Sequence, residues 1–229
     1  FIAVTTTLFG YRTTFANTQK EVSPKDEVLP FNAMTVYVQF FKNKALFCSG
    51  MIMILSSIVF GAMSTFIPLY TVREGFANAG IFLTIQAITV VIARFYLRKY
   101  VPSDGLWHHR FMMIVLTLLM VASVIVAFGP HIVSIFVYIS AIFIGITQAL
   151  VYPTLTTYLS FVLPKIGRNM LLGLFIACAD LGISLGGGLM GPISDTVGFK
   201  WMYILCALLV TIAMTLSKIR QRQSVSKAS

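Results

Sequence analysis

The sequence predicts an all-α membrane protein whose six transmembrane helices form one domain. Of the 229 residues, 58% are apolar and only 10% are charged, whereas an average soluble domain is about 45–50% apolar and about 25% charged. The mean hydropathy of the chain, +0.89, is also too high for a protein whose whole surface faces water. The apolar residues are concentrated in six runs, each close to the roughly 20 residues that a helix needs to cross a bilayer.

The residues before these six runs divide into two segments. Residues 1–10 (FIAVTTTLFG) are apolar but too short to cross about 30 Å of hydrocarbon. We expect them to be the tail of a preceding transmembrane helix whose beginning is missing. Residues 11–44 contain a long polar stretch and predict a cytoplasmic linker. Its aromatic-rich part, residues 31–44, predicts a short helix along the membrane interface, or alternatively an extension of the first span.

The six-helix domain is predicted over residues 45–217, followed by a basic cytoplasmic tail over residues 218–229. Glycine, proline and charged residues separate the apolar runs, and these residue types favour turns and loops. The predicted spans are residues 45–70, 79–97, 111–128, 132–157, 170–190 and 201–217.

The distribution of basic residues predicts the orientation of the chain. The net charge of +10 could indicate a nucleic-acid partner. With six crossings, however, 15 of the 17 Lys and Arg residues fall on the side of the linker and the C-terminus, and only Arg73 and Lys200 fall on the other. By the positive-inside rule, the linker and the C-terminus are then cytoplasmic in a bacterial plasma membrane. The basic residues would contact membrane lipid, and we expect no nucleic-acid partner.

Residues suited to metal binding or catalysis are sparse. His108 and His109 are adjacent beside Trp107 in a predicted loop, where solvated side chains explain them more simply than a metal site. No histidine lies deep in a span, so an intramembrane serine protease is disfavoured. The three cysteines are an odd number without CxxC spacing, which favours buried apolar side chains. We therefore expect no metal, no cofactor and no enzymatic activity.

Asp180 is the strongest candidate functional residue, because it lies near the middle of the fifth predicted span. A charge at that depth costs roughly 2.5–3.5 kcal/mol and usually faces a bundle interior or a wet cavity. Helical spacing places small residues on the same face: Gly173, Ala177, Ser184, Gly187 and Gly191. Asp180 could bind substrate or couple protons, since burial raises the pKa of a carboxyl group. Alternatively, it could anchor a neighbouring helix or face lipid.

Polar residues in three other spans extend the candidate substrate site. In the fourth span, Tyr138, Gln148 and Tyr152 share one face at 100° per residue. Gln86 lies at mid-depth in the second span, and Ser57 belongs to a small-residue face of the first. Amides and phenols in hydrocarbon need partners, whereas small residues more often serve helix packing. The third and sixth spans have almost no polar residue at depth and are predicted to be outer, lipid-facing helices.

Three basic residues at the end of the second span could act at a cytoplasmic gate: Arg94, Arg98 and Lys99. The alternative is ordinary anchoring, in which long basic side chains reach from a helix end to the membrane surface.

Several local patterns resemble those of the Major Facilitator Superfamily, and together they cover nearly all of the chain. The pattern of the eighth helix in bacterial exporters is matched by Asn78-Ala79-Gly80-Ile81-Phe82, Ala87 and Ala93-Arg94. The signature of the eleventh and twelfth helices is matched by Asp180-Leu181-Gly182, Gly186, Gly191-Pro192, Asp195 and Gly198-Phe199. The segment that opens the eleventh helix is matched by Arg168, Asn169 and Gly173. One departure follows the eighth helix, where the usual Gly is absent and Asp104 is displaced, which leaves the gating role open.

This resemblance implies the C-terminal half of such a transporter, with two inverted three-helix repeats. Its partners would be a missing N-terminal six-helix half of the same chain, a small-molecule substrate and protons. The implied function is proton-coupled efflux by alternating access, closest to exporters of drugs or metal-chelating metabolites. An importer of sugars or organic acids and a non-transporting membrane scaffold are the alternatives. An importer of anions would usually show a basic residue at depth, and none is clear in this sequence.

Overall fold

Six long helices make up the described part of the chain, which in this computed structural model comprises residues 40–41, 43–102, 104–164 and 167–225, with backbone alone for 222–225. These residues all belong to one unit, Val36–Ser229. The helices are α1 (Lys44–Glu74), α2 (Ala79–Tyr96), α3 (His109–Ala127), α4 (Ser134–Val162), α5 (Arg168–Val197) and α6 (Phe199–Val225). All six contain an apolar stretch long enough to cross a membrane.

The six helices coincide with the six predicted spans, but most extend beyond them. Hydropathy marks only the apolar stretch, whereas helical hydrogen bonding continues into the polar residues at either end. The largest difference is in α6, which continues to Val225, so residues 218–225 of the predicted tail are helical. The predicted segment 1–10 lies outside the described residues, as does most of 11–44. Only Phe40, Phe41, Asn43 and Lys44 of that linker are described.

Short capping residues or glycines lie at several of the helix ends. The Asn43 side chain accepts hydrogen bonds from the N–H groups of Ala45 and Leu46 at 3.0 and 3.4 Å, which caps the first turn of α1. Between α5 and α6 there is a single residue, Gly198, whose φ of +86° is accessible mainly to glycine. This residue reverses the chain within the Thr196–Phe199 segment.

The helix pairing reveals two three-helix repeats, α1–α3 and α4–α6. The first helix of each repeat packs chiefly on the second helix of the other, giving the pairs α1–α5 and α4–α2, while α3 packs on α6. Because α1 and α4 start at opposite ends of the bundle, the repeats are inverted. This arrangement confirms the predicted fold class. The predicted outer helices, α3 and α6, bury a face against each other and each keep an exposed apolar face, which includes Val121 and Leu208.

The two ends of the bundle differ in charge. At one end, Trp107 Nε1 donates to the carbonyl of Ser217 at 3.2 Å, and Arg220 donates to the Tyr158 hydroxyl at 2.8 Å. We call this the basic end, because it holds eight of the ten Lys and Arg residues whose side chains the structure describes: Lys44, Arg94, Arg98, Lys99, Arg110, Arg168, Lys218 and Arg220. The opposite end has two, Arg73 and Lys200, which lie over the rings of Phe199 and Phe128.

Candidate functional site

The α2–α4 pair contains a polar contact at mid-depth. The side-chain amide of Gln86 on α2 donates from Nε2 to Oε1 of Gln148 on α4 at 3.2 Å. Gly145 allows the two helices to approach, since a Cβ at that position would lie 2.8 Å from Cβ of Thr89 and 2.9 Å from the Gln86 carbonyl oxygen. Gln86 is 6% exposed, and its own Oε1 has no hydrogen-bond partner among the described residues. A buried acceptor without a partner is costly, which makes the glutamine pair a candidate functional feature and not only a packing contact.

Tyr152 lies one helical turn beyond Gln148 on α4, towards the basic end. Its ring is half-buried, with its centre 6.0 Å from that of Phe175 on α5. Tyr152 also lines a cavity of about 590 Å³ that is bounded by Arg94 and Arg98. The structure therefore pairs Gln86 with Gln148 and places Tyr152 one helical turn away, on the wall of the cavity that the two arginines also line.

Tyr138 is separated from this group, although the sequence places it on the same helix face. It lies ten residues before Gln148, or about 15 Å along the helix. Its hydroxyl accepts a hydrogen bond from the backbone N–H of Asn78 at 3.0 Å, beside the N-terminus of α2. Asn78 in turn caps α2 by accepting from the N–H of Ile81 at 3.2 Å. In the structure, Tyr138 thus fixes the start of α2 at the opposite end.

Ser57 lies in the α1–α5 crossing rather than on an accessible wall. It is 1% exposed, and its Oγ has no hydrogen-bond partner among the described residues. A Cβ on Gly182 of α5 would lie 2.6 Å from Cβ of Ser57. The small side chain is required by this close packing, so the structure does not support the predicted substrate contact.

Asp180 lies on the outer surface of the described bundle, near the middle of α5. Its side chain is exposed, and no ion pair or side-chain hydrogen bond reaches its carboxylate among the described residues. The Ser184 hydroxyl donates instead to the backbone carbonyl of Asp180 at 2.9 Å. At 100° per residue, Asp180 is about 140° around α5 from the buried Phe175. The carboxylate and the glutamine pair therefore occupy different surfaces.

The three predicted gate residues have different surroundings. Arg94 and Arg98 both line the cavity beside Tyr152. Lys99 does not line it, and its ammonium group lies 5.1 Å from the centre of the Tyr100 ring. All three residues are exposed. Only the two arginines can therefore act together at this position.

Sequence reasoning did not identify two features near the candidate site. One is the contact of Asn78 with Tyr138, for which the Asn at a helix start was the available signal. The other is Pro153, which lines the cavity and has no N–H to donate to the Ala149 carbonyl. Among the described residues, no group of three or more His, Cys, Asp or Glu side chains is close enough to hold a metal ion.

Comparisons with known proteins identify the family. The Major Facilitator Superfamily matches residues 1–187 and, in a second overlapping match, residues 103–229. The chain is 70% identical over 221 residues to the Staphylopine export protein of Staphylococcus aureus (strain Mu50 / ATCC 700699), covering 96% of this chain and 56% of that protein. It is 23% identical over 176 residues to uncharacterized MFS-type transporters of Burkholderia mallei (strain SAVP1) and Burkholderia pseudomallei (strain K96243), covering 76% of this chain and 42% of each.

The chain thus spans about half the length of the relatives it matches. The family match covers more than half of the chain, and the six apolar helices and their pairing agree with one six-helix domain of such transporters. The sequence-based assignment is confirmed: the chain belongs to the Major Facilitator Superfamily and is a multi-pass membrane protein.

Proposed function

We propose that the complete protein exports a small organic molecule, and that staphylopine is the first substrate to test. The observation that carries this proposal is the 70% identity to the Staphylopine export protein over nearly the whole chain. This proposal keeps the efflux function predicted from the sequence and selects a metallophore, rather than a drug, as the first substrate to test. No observation favours the importer or the non-transporting scaffold.

The exposed surfaces of α2 and α5 support a transport pathway shared with a second six-helix domain. Only 17% of the most apolar stretch of α2 and 33% of that of α5 are buried, against 72% for α1. On α5 the exposed surface includes Asp180, whose charge would be costly against lipid. We propose that an N-terminal domain of the same protein covers this face of α5 and the face of α2 that lies away from Val91 and Phe95. Rocking of the two domains would then give alternating access to a site near the membrane midplane.

We assign Gln86, Gln148 and Tyr152 to substrate binding. Gln86 supplies a buried acceptor, Gln148 holds the amide of Gln86, and Tyr152 offers a half-buried ring and hydroxyl. Asp180 is assigned to proton coupling, since it is an exposed carboxylate at mid-span on the face that the second domain would cover. Tyr138 and Ser57, by their contacts, support the positions of α2 and α5 rather than the substrate.

The proposed orientation places the basic end in the cytoplasm of a bacterial cell, with the plasma membrane around the bundle. At that end lie eight basic residues whose side chains the structure describes, against two at the other end, which supports this orientation by the positive-inside rule. Arg94 and Arg98 would then lie at the cytoplasmic entrance of the pathway, beside the end of α2.

Transport by reconstituted protein tests the proposal. The complete protein is placed in vesicles with an acidic interior, staphylopine is added outside, and its accumulation is measured by mass spectrometry. The Staphylopine export protein of Staphylococcus aureus and protein-free vesicles are run in parallel. Accumulation that a protonophore abolishes is the expected result, because an exporter exchanging substrate for protons moves substrate toward the acidic side.

Each other outcome contradicts a separate part of the proposal. Accumulation unaffected by the protonophore would support transport of staphylopine but reject proton coupling. Accumulation only in vesicles with an alkaline interior would indicate substrate–proton symport and thus an importer. If the parallel exporter transports staphylopine and this protein does not, staphylopine is rejected as the substrate. A fluorescent cationic dye and a metallophore panel would then test the wider exporter assignment.

A further inference from the structure

An open cavity lies at the basic end of the bundle, between the last turn of α2, the residues that follow it and α4. Its volume of about 590 Å³ falls within the roughly 300–1,000 Å³ that is typical of ligand pockets. Arg94 and Arg98 lie on one wall, and Leu150 and Pro153 form part of the other. The cavity therefore combines two guanidinium groups with an apolar surface.

The two arginines are not neutralised by an acidic side chain within the described residues. The ion pair that these residues form is between His108 and Asp104, at 3.4 Å. Neither Arg94 nor Arg98 makes a hydrogen bond to another side chain in the described part of the chain. Each guanidinium group can donate two parallel hydrogen bonds to a phosphate. The charge of the site thus favours an anionic ligand.

The apolar surface beside the arginines continues along α2 into the membrane. Phe95 lines the cavity and is 81% exposed, and Val91, one turn further along the helix, is 56% exposed. At 100° per residue these side chains lie only about 40° apart. A free inorganic anion would leave this surface without a partner, whereas an acyl chain would cover it.

We propose that this cavity binds the phosphate headgroup of an anionic phospholipid in the leaflet at the basic end, with an acyl chain along Val91 and Phe95. Basic pockets between transmembrane helices are known to hold such headgroups. The Ala149 carbonyl, which lacks a donor at Pro153, accepts a hydroxyl of the headgroup. The bound lipid would lie where α2 ends, beside the entrance proposed above.

Native mass spectrometry of the complete purified protein tests this proposal. Retention of phosphatidylglycerol is measured against phosphatidylcholine, for the wild type and for Arg94→Gln, Arg98→Gln and the double variant. Each single change is expected to lower phosphatidylglycerol retention about fivefold, and retention of phosphatidylcholine to stay unchanged. Arg110→Gln, an exposed arginine at the same end that does not line the cavity, should retain the lipid.

A second variant tests the cavity without changing its charge. Ala149 is a buried residue of the cavity wall, so Ala149→Phe should fill the space and displace phosphatidylglycerol while both arginines remain. Wild-type retention by the double arginine variant would overturn the proposal, as would equal loss in Arg110→Gln. Displacement of the lipid by millimolar inorganic phosphate would also overturn it and would indicate a site for a small anion.

Discussion

The α1–α5 and α4–α2 pairs occupy equivalent positions in the two inverted repeats, yet they are built differently. In the α1–α5 pair, Gly61 lies against the Ile183 carbonyl oxygen and Gly186 against that of Ile58, so backbone meets backbone. In the α4–α2 pair only Gly145 allows a close approach, and the glutamine amides form the next contact. Beyond that contact the helices leave a cavity.

This difference suggests different roles: the α1–α5 crossing stabilises the fold, and the α4–α2 crossing provides residues for binding. The α1–α5 crossing is closely packed, and α1 is the most enclosed helix of the described bundle. Backbone contact through small residues is how membrane helices gain packing energy without a hydrophobic driving force. The α4–α2 pair is packed less closely, and it contains a buried acceptor, a tyrosine and two arginines instead. Substrate residues are therefore expected at the second crossing and fold-determining residues at the first, whereas Asp180 lies on the open surface of α5, outside the α1–α5 crossing.

Adding one methyl group to each crossing should have the largest effect and should distinguish the two pairs. In Gly186→Ala the new Cβ would overlap the Ile58 carbonyl oxygen, which is rigid backbone. In Gly145→Ala it would lie 2.8 Å from Cβ of Thr89 and 2.9 Å from the Gln86 carbonyl oxygen. Overpacking costs about 1–3 kcal/mol, so both variants should melt earlier in detergent, and Gly186→Ala earlier than Gly145→Ala.

Gly188→Ala is the matched control, because an added Cβ at that position meets nothing within 4 Å. Its melting temperature should be unchanged or higher, since alanine favours helix over glycine by about 1 kcal/mol. Equal melting of Gly186→Ala and Gly188→Ala would show that the α1–α5 crossing does not depend on backbone contact.

The glutamine pair should contribute to stability only as a pair. Gln148→Leu leaves both polar atoms of the buried Gln86 amide without a partner, at a cost of about 1–3 kcal/mol. Replacing both residues with leucine removes the unsatisfied groups, so the double variant should recover most of the lost melting temperature. Transport should remain low in both variants. Recovery of transport in the double variant would assign the pair to structure alone.

The smallest effect is expected from Tyr138→Phe, which removes one hydrogen bond at the opposite end. The loss of the Asn78 N–H bond to the Tyr138 hydroxyl should cost about 0.5–1.5 kcal/mol. Melting temperature should fall slightly, and the transport rate of the folded protein should stay at the wild-type level. Tyr96→Phe, an exposed residue at the end of α2, serves as the control. A large loss of transport in Tyr138→Phe would restore this residue to the substrate site.

The sequence alone was sufficient to predict the spans, the family and the charge asymmetry. Apolar runs of the length of a bilayer and the position of Lys and Arg carry that information directly. Periodicity also placed Tyr138, Gln148 and Tyr152 on one face of α4. It could not show how that face is rotated against α2, or that Tyr138 contacts the N-terminus of α2. Those features depend on the neighbouring helix.

Other parts of the site also needed tertiary structure. Ser57 belongs to a face of small residues, and such faces occur both at helix crossings and in cavities. The sequence therefore cannot distinguish a packing role of Ser57 from a substrate contact. The cavity beside Arg94 depends on the space left between α2 and α4, which no single segment encodes. The role of Asp180 stays a prediction, and it needs no tertiary structure to be made, because a charge at that depth is costly wherever it points.

Transport by Asp180→Asn tests the central claim most directly, which is that the open surface of α5 belongs to the transport pathway. The matched control is Asp195→Asn, an exposed aspartate near the end of the same helix. Efflux driven by a proton gradient and melting temperature are measured for both variants of the complete protein. Loss of most efflux in Asp180→Asn, with unchanged melting and with wild-type efflux in Asp195→Asn, is the predicted result. Full efflux by Asp180→Asn would contradict the claim.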